Sequence, residues 1–367
     1  MSDVGFGYVF PAIRGVQARR EYFVSMCPLR LLPRIFLFDD EELAPEVRAQ
    51  RVLNRARIPE LARYIVGNRD GYVFSAITAS VDAQVRFEAL GPSGESSAVG
   101  LLHIPMDARF IINDGQHRRA AIEAAMRECT DLGDESIAVV FFLDKGLARS
   151  QQMFADLNRH AIRPSRSIGV LYDHRDSLAG LTRVTVLRSS FYRDIVEMER
   201  TSLSPRSRKL FTLSAMYSAN AALLGERANE PGHADDEVLA AFWEEMTNHF
   251  PEWSLVRQGK MAAGEVRQAS IHSHGVVLQA LGMVARSAMS VSTEEWRPPL
   301  AGLSTIDWSR ANSELWEGRA MSAGRVTKAG HNVVLTSNAI KLAIGMKLTP
   351  EEQRTEDAFM RGRHEHT

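Results

Sequence analysis

Cysteine is nearly absent from this 367-residue chain, which holds only Cys27 and Cys129. Two thiols build neither a disulfide framework nor a metal quartet, so both are expected as reduced core residues. Long hydrophobic runs are missing too. No stretch approaches the roughly 20 apolar residues of a membrane span, and the N-terminus carries Asp3 and no long apolar run. That argues against a secretory signal and a membrane partner, and for a cytoplasmic setting. Charge of one sign is lacking: 44 Lys and Arg face 45 Asp and Glu, a net charge of −1. A nucleic-acid-binding role would therefore need local basic patches. We find no internal repeat, no G-x-x-x-x-G-K-[ST] phosphate loop and no Ser-His-Asp triad that spacing can place. His272 and His274 lie two apart, on different faces of an expected helix, and are rejected as a metal pair. What remains is 45% hydrophobic, enough for a large core, at a length that suggests about two domains.

The first half alternates strand and helix signals. Phe6–Phe10 and Glu21–Val24 read as short strands around a basic turn, Arg14 to Arg20. Asp39 to Glu42 suits a helix start, and Pro59 opens a helix that Gly67-Asn68 stops. Arg48, Arg51, Arg55, Arg57 and Arg63 form a basic series, read either as a solvated helix face or as a phosphate-contacting surface. Tyr72–Ser80 is β-rich, Gln84–Leu90 alternates as a half-buried strand, and Leu101–Ile104 follows. Ile137–Leu143 lacks alternation, which predicts burial on both faces. Gly146–Asn158 is helical, with Met153, Phe154 and Leu157 as its apolar stripe.

The densest chemistry lies in Asp114-Gly115-Gln116-His117-Arg118-Arg119. It follows the apolar run Phe110–Ile112 and precedes an Ala-rich helical pattern, so it sits where a strand hands over to a helix. A helix N-terminus offers free N–H groups and partial positive charge to an anion. Gly115 permits a positive φ, and Arg118 and Arg119 carry planar donors that match phosphate. Asp114 could act as an acid that holds Mg²⁺, or be a turn-forming side chain. The same residues also suit an ordinary strand–turn–helix joint with solvated arginines.

Asp114-Gly115-Gln116-His117-Arg118 resembles the motif of the DGQHR-domain family, and within it the DNA sulfur modification proteins of the DndB type. The strand–Gly–x–His–Arg–helix pattern is similar to the signature of the ParB/sulfiredoxin fold, in which such a segment handles a nucleotide phosphate. Met153 to Ser165 looks like a second ParB-type element, and the resemblance is strongest over residues 5–175. It implies an α/β (α+β) architecture: a ParB/sulfiredoxin-like mixed-sheet domain over 1–175, then a mainly helical domain over 176–367 with a basic linker. It also implies that Asn158 and Arg159 complete a phosphate site with Gly115, Gln116, Arg118 and Arg119. Without it, Asn158 reads equally as a helix cap.

From Asn158 to Leu210, eleven basic residues stand against five acidic ones, an excess of six. Arg163, Arg166, Arg206, Arg208 and Lys209 are the candidate DNA contacts. Ser202 to Lys209 reads as a flexible basic stretch, either DNA-binding or a plain linker. Beyond it the pattern is helical: Phe211–Leu224, Asp235–Phe250, Ser270–Met289, a short piece from Asp307 to Trp316, Val333–Met346 and a last helix from Thr349. Gly318–Asn332 reads as a basic polar loop with Arg319, Arg325 and Lys328. Trp296, Trp308 and Trp316 are expected as core anchors.

The resemblance implies a DNA-binding regulator of phosphorothioate modification: a repressor of the modification genes that also modulates which sites are modified. Its expected partners are duplex DNA, other modification proteins and, by analogy with repressors on palindromes, a second copy. The alternative is a nucleotide hydrolase or DNA nickase with Asp114 and His117 as catalytic residues and Arg118 on phosphate. That enzyme would use a nucleoside triphosphate with Mg²⁺, and the shortage of a second carboxylate counts against it. A third option is an interaction scaffold.

Overall fold

The computed structural model describes residues 7–36, 55–145, 149–159, 164–292 and 295–364. The chain divides into two units, Met1–Ile162 and Arg163–Thr367, and each has its own hydrophobic core.

In the first unit a seven-stranded mixed sheet is built from β1 (Gly7–Gln17), β2 (Arg20–Pro28), β3 (Ile77–Asp82), β4 (Arg86–Ala89), β5 (Val99–Pro105), β6 (Arg109–Asp114) and β7 (Ser136–Leu143). The order is β4-β5-β1-β2-β7-β3-β6. Only the β3–β7 pairing is parallel. The expected basic turn Arg14–Arg20 shrinks to Ala18-Arg19, both at positive φ (51° and 63°), the left-handed pair that a two-residue hairpin turn requires. Arg14 to Gln17 are strand, paired with Arg20 to Phe23. The β-rich stretch from Tyr72 enters the sheet only at Ile77.

One face of the sheet buries Phe10, Phe23, Ile77, Val81, Leu102 and Phe141 against α1 (Ile58–Gly67) and α2 (Gln116–Glu128), which pack on each other. Pro59 stands in the first turn of α1, where its missing N–H costs nothing. On β7, Ile137, Val139 and Phe141 are buried, and Ala138, Val140 and Phe142 are half-buried. Thus the non-alternating run covers one face fully and the other in part. α3 (Ser150–Arg159) packs against β6 and starts at Ser150 rather than at the expected Gly146. Its Leu157 is exposed. The expected helix start at Asp39–Glu42, with Arg48 and Arg51, lies outside the described residues.

The second unit is mainly helical: α4 (Arg166–Tyr172), α5 (Ser177–Arg188), α6 (Leu213–Leu224), α7 (His233–His249), α8 (Pro251–Arg257), α9 (Ala263–Ala269), α10 (Gly275–Val291), α11 (Gly330–Ala343) and α12 (Pro350–His364), with shorter pieces between. Ser165 caps α4 by accepting from Ile168 N–H at 3.1 Å. α6 and α10 form the most extensive helix pair. A Cβ on Gly282 would stand 2.4 Å from the Ala219 carbonyl oxygen, so only glycine lets the two backbones meet. All five tryptophans are buried, including the three expected as anchors.

Three readings change here. α10 begins at Gly275, so His272 and His274 precede the helix; buried His272 instead accepts a hydrogen bond from Trp253 Nε1 at 2.9 Å. The expected helical piece from Asp307 is confined to Ser313–Trp316. Arg319, read as part of a polar loop, is buried and ion-paired with Glu356. Among the described residues no helix is long and apolar enough to cross a membrane.

Candidate functional site

β6 ends at Asp114, α2 begins at Gln116, and buried Gly115 joins them at φ +106°. A Cβ on Gly115 would lie 3.0 Å from Ile77 Cγ1 and 3.1 Å from Arg118 Nη2. The missing side chain makes the seat for the Arg118 guanidinium, which folds back across the turn. Arg118 Nη2 donates to Asp114 Oδ2 at 2.5 Å, and Nη1 donates to Ser75 Oγ. Its Nε is buried and has no partner. No side chain caps the N-terminus of α2, which leaves the first-turn N–H groups and their partial positive charge available to an anion. Gly115→Ala is expected to destabilise the first unit by about 1–3 kcal/mol through backbone strain and to unseat Arg118. Urea unfolding of the variant checks this, and an unchanged midpoint would show that the turn relaxes.

The floor of the turn is polar and closed. Fully buried Asn113 donates to Ser80 Oγ at 2.8 Å and accepts from Ser150 Oγ at 3.2 Å, which ties β6 to the first residue of α3. Gln116 Nε2 donates to the Ile112 carbonyl at 3.3 Å. His117 is half-buried, and burial, then the Arg57 charge, holds its pKa below the ordinary value. Its imidazole is therefore neutral near pH 7. Arg119 is buried and turned to other partners: Nη1 donates to Glu123 Oε2 at 2.6 Å and Nη2 to the Pro33 carbonyl at 3.5 Å.

Asp114, Gly115 and Arg118 are thus brought together, while Arg119 is held by Glu123. Asn158 and Arg159 form the last turn of α3, and their side chains lie outside the described residues, as does Arg163. In the second unit Arg166, Arg206 and Arg208 are exposed. The Lys209 ammonium donates to the Asp194 carbonyl at 2.9 Å. The stretch Ser202–Lys209, read as flexible, is pinned instead, by Arg267 donating to the carbonyls of Ser204, Ser207 and Lys209. Sequence reasoning missed Ser75, which lies 43 residues from Arg118, and Arg267, because no local pattern marks either one.

Among the described residues, no group of three or more His, Cys, Asp and Glu could hold a metal ion, and Asp114 is engaged by Arg118. The donor set of the turn suits an anion better than a cation. Its family context is direct. The model of a family described as DndB, DNA-sulfur modification-associated, matches residues 10–347. The chain belongs to the DndB family. DndB membership covers both units, so the Gly115 turn and the basic stretch of the second unit both fall within the match, and it ties the chain to DNA sulfur modification. No curated protein and no solved structure matches the chain.

Proposed function

We propose that this DndB-family chain is a DNA-binding regulatory protein of a phosphorothioate modification system. It represses the modification genes and modulates which sites are modified. It works in the cytoplasm on duplex DNA, as a homodimer and beside other modification proteins. The first unit is read as a ParB/sulfiredoxin-type domain whose turn receives a phosphate. The observation that supports this most is the Gly115 turn: an uncapped helix N-terminus beside a guanidinium that is fixed by Asp114 and Ser75. Such a group binds an oxyanion without having to be ordered first.

Fluorescence anisotropy on duplex DNA from the promoter of the modification genes, with a scrambled duplex as control, tests the reading. Expected is promoter-selective binding that weakens steeply with salt, since each neutralised phosphate contributes about −0.9 to the slope of log K against log salt. Absence of binding at low salt would sink it. The turn would then be read as a site of nucleotide hydrolysis or nicking, for which neutral His117 can accept a proton.

A further inference from the structure

Arg267 on α9 is 9% exposed, and its guanidinium is satisfied by carbonyls of a single loop. Nη2 donates to Ser204 O at 2.6 Å, and Nη1 donates to Ser207 O at 3.4 Å and to Lys209 O. On the same helix a Cβ at Gly264 would stand 2.1 Å from the Pro205 carbonyl oxygen, so the loop backbone lies directly on α9. Ser207 N–H closes a turn onto Ser204 O at 3.0 Å, Ser207 Oγ accepts from Lys209 N–H at 3.2 Å, and the Lys209 ammonium is fixed on Asp194 O. Of the loop's cations, Arg206 and Arg208 take no part in these bonds, and both are exposed.

The choice of clamp matters. A carboxylate would have held the loop and cancelled its charge. Carbonyls hold it and leave the charge in place, at the expense of burying a cation, whose pKa burial lowers. Two further cations are reached from Arg267 along the backbone. The Arg267 carbonyl is hydrogen-bonded to His274 Nε2 at 2.8 Å. At the next residue, the place of a Gly275 Cβ is 3.7 Å from Lys328 Nζ. Partial burial and then the nearby Arg166 push the Lys328 ammonium down to about 8. Arg166 lies over the Tyr217 ring at 5.8 Å. Carboxylates nearby include Asp176, which accepts from Tyr217 Oη at 2.7 Å, and Asp173; Asp194, Glu199 and Glu265, next to the residues that hold the track, are exposed acids as well.

We propose that the clamped loop Ser204–Lys209, continued by Lys328 and Arg166, is a preformed track for the phosphate backbone of duplex DNA, with Arg267 as its positioning residue. This rests on the DNA-binding reading above and names the surface that reading uses. A loop fixed before binding loses little entropy on docking. Arginine contacts to phosphates fix position and carry no sequence information directly.

The test is the salt dependence of binding of the full chain to a random-sequence duplex, by fluorescence anisotropy. Arg206→Ala/Arg208→Ala, at exposed positions, is expected to keep the wild-type melting temperature, flatten the log–log slope by about 2 and weaken binding roughly tenfold or more. Arg267→Lys keeps the charge but loses the fork, and is expected to weaken binding as well. A double variant with the wild-type slope, while the wild type binds, overturns the track and leaves the regulatory reading standing. A wild type that binds no duplex at low salt overturns both. Tighter binding of a single-stranded RNA of equal length would overturn duplex DNA as the partner.

Discussion

Glu356→Ala is expected to destabilise the second unit by about 3–5 kcal/mol. Arg319 is 6% exposed and Glu356 5%. Arg319 Nη1 donates to Glu356 Oε2 at 3.0 Å and to the Leu335 carbonyl at 3.1 Å, and Nη2 donates to Glu356 Oε1. The guanidinium also lies 4.5 Å from the centroid of the Phe359 ring. This paired fork fastens α12 to the turn that follows the short helix Ser313–Trp316. Removing the carboxylate strands a cation among a carbonyl, an aromatic face and apolar packing, and it also takes an acceptor from Asn338 Nδ2. The ion pair itself need not be strongly stabilising, because both groups were desolvated to form it. Arg319→Met/Glu356→Met should therefore recover most of the loss. Urea unfolding of the single and double variants separates the two effects. A single-variant loss below about 1 kcal/mol would mean that water reaches Arg319 and the site is not closed.

What the sequence revealed of the fold was local. β7 was legible because seven consecutive apolar residues have nowhere to go but a sheet interior. α2 was legible because its alanines follow a turn signal. The β1–β2 hairpin was misjudged in length: Ile13 and Val16 are exposed strand residues, and its turn uses Ala18-Arg19 rather than glycine or asparagine. The order β4-β5-β1-β2-β7-β3-β6 was not legible, because it depends on pairings such as Ile77 with Val139, which no window of sequence contains.

The site divides in the same way. Gly115 was legible as a residue permitting positive φ, but the ion pair of Asp114 with Arg118 was not, because Asp114 was read as a magnesium ligand or turn former and Arg118 as a phosphate donor. That Arg118 returns across the turn to Ser75 depends on where β3 begins, and the sequence placed that start several residues too early. Arg119 shows the limit of residue type as a guide. It is as arginine-like as its neighbour, but one position along the helix turns it by about 100°, and that turn sends it to Glu123 and Pro33. Arg319 repeats the lesson in the second unit. A loop rich in basic residues looks solvated until Glu356, 37 residues on, supplies a buried partner.

Acidification from pH 7 to 5 should unfold the protein more readily, with His272 responsible for about 2 kcal/mol of the loss. His272 is 2% exposed. Its Nδ1 accepts from Trp253 Nε1, and its ring stacks on Phe250 with centroids 4.9 Å apart. Nε2 must then carry the proton of the neutral ring, and the nearest carboxylate, on Glu252, lies 3.8 Å away, too far for a hydrogen bond. Burial first, and then the neighbouring His274, pushes the His272 pKa down to about 3. Unfolded, the imidazole titrates near its ordinary value of 6.5. Between those two values the unfolded chain binds a proton that the native protein refuses. Stability is therefore complete above about pH 6.5, and it falls by about 1.4 kcal/mol per unit as the pH drops through that window. Protonation at Nδ1 would also remove the acceptor from Trp253, so the native core gains nothing by taking the proton. His272→Gln can keep an acceptor for Trp253 and does not titrate. Urea midpoints at pH 7 and pH 5 should converge in that variant, apart from the smaller share left by His117 and His274, which are lowered in the same direction. Equal losses in the wild type and the variant would place the acid sensitivity elsewhere.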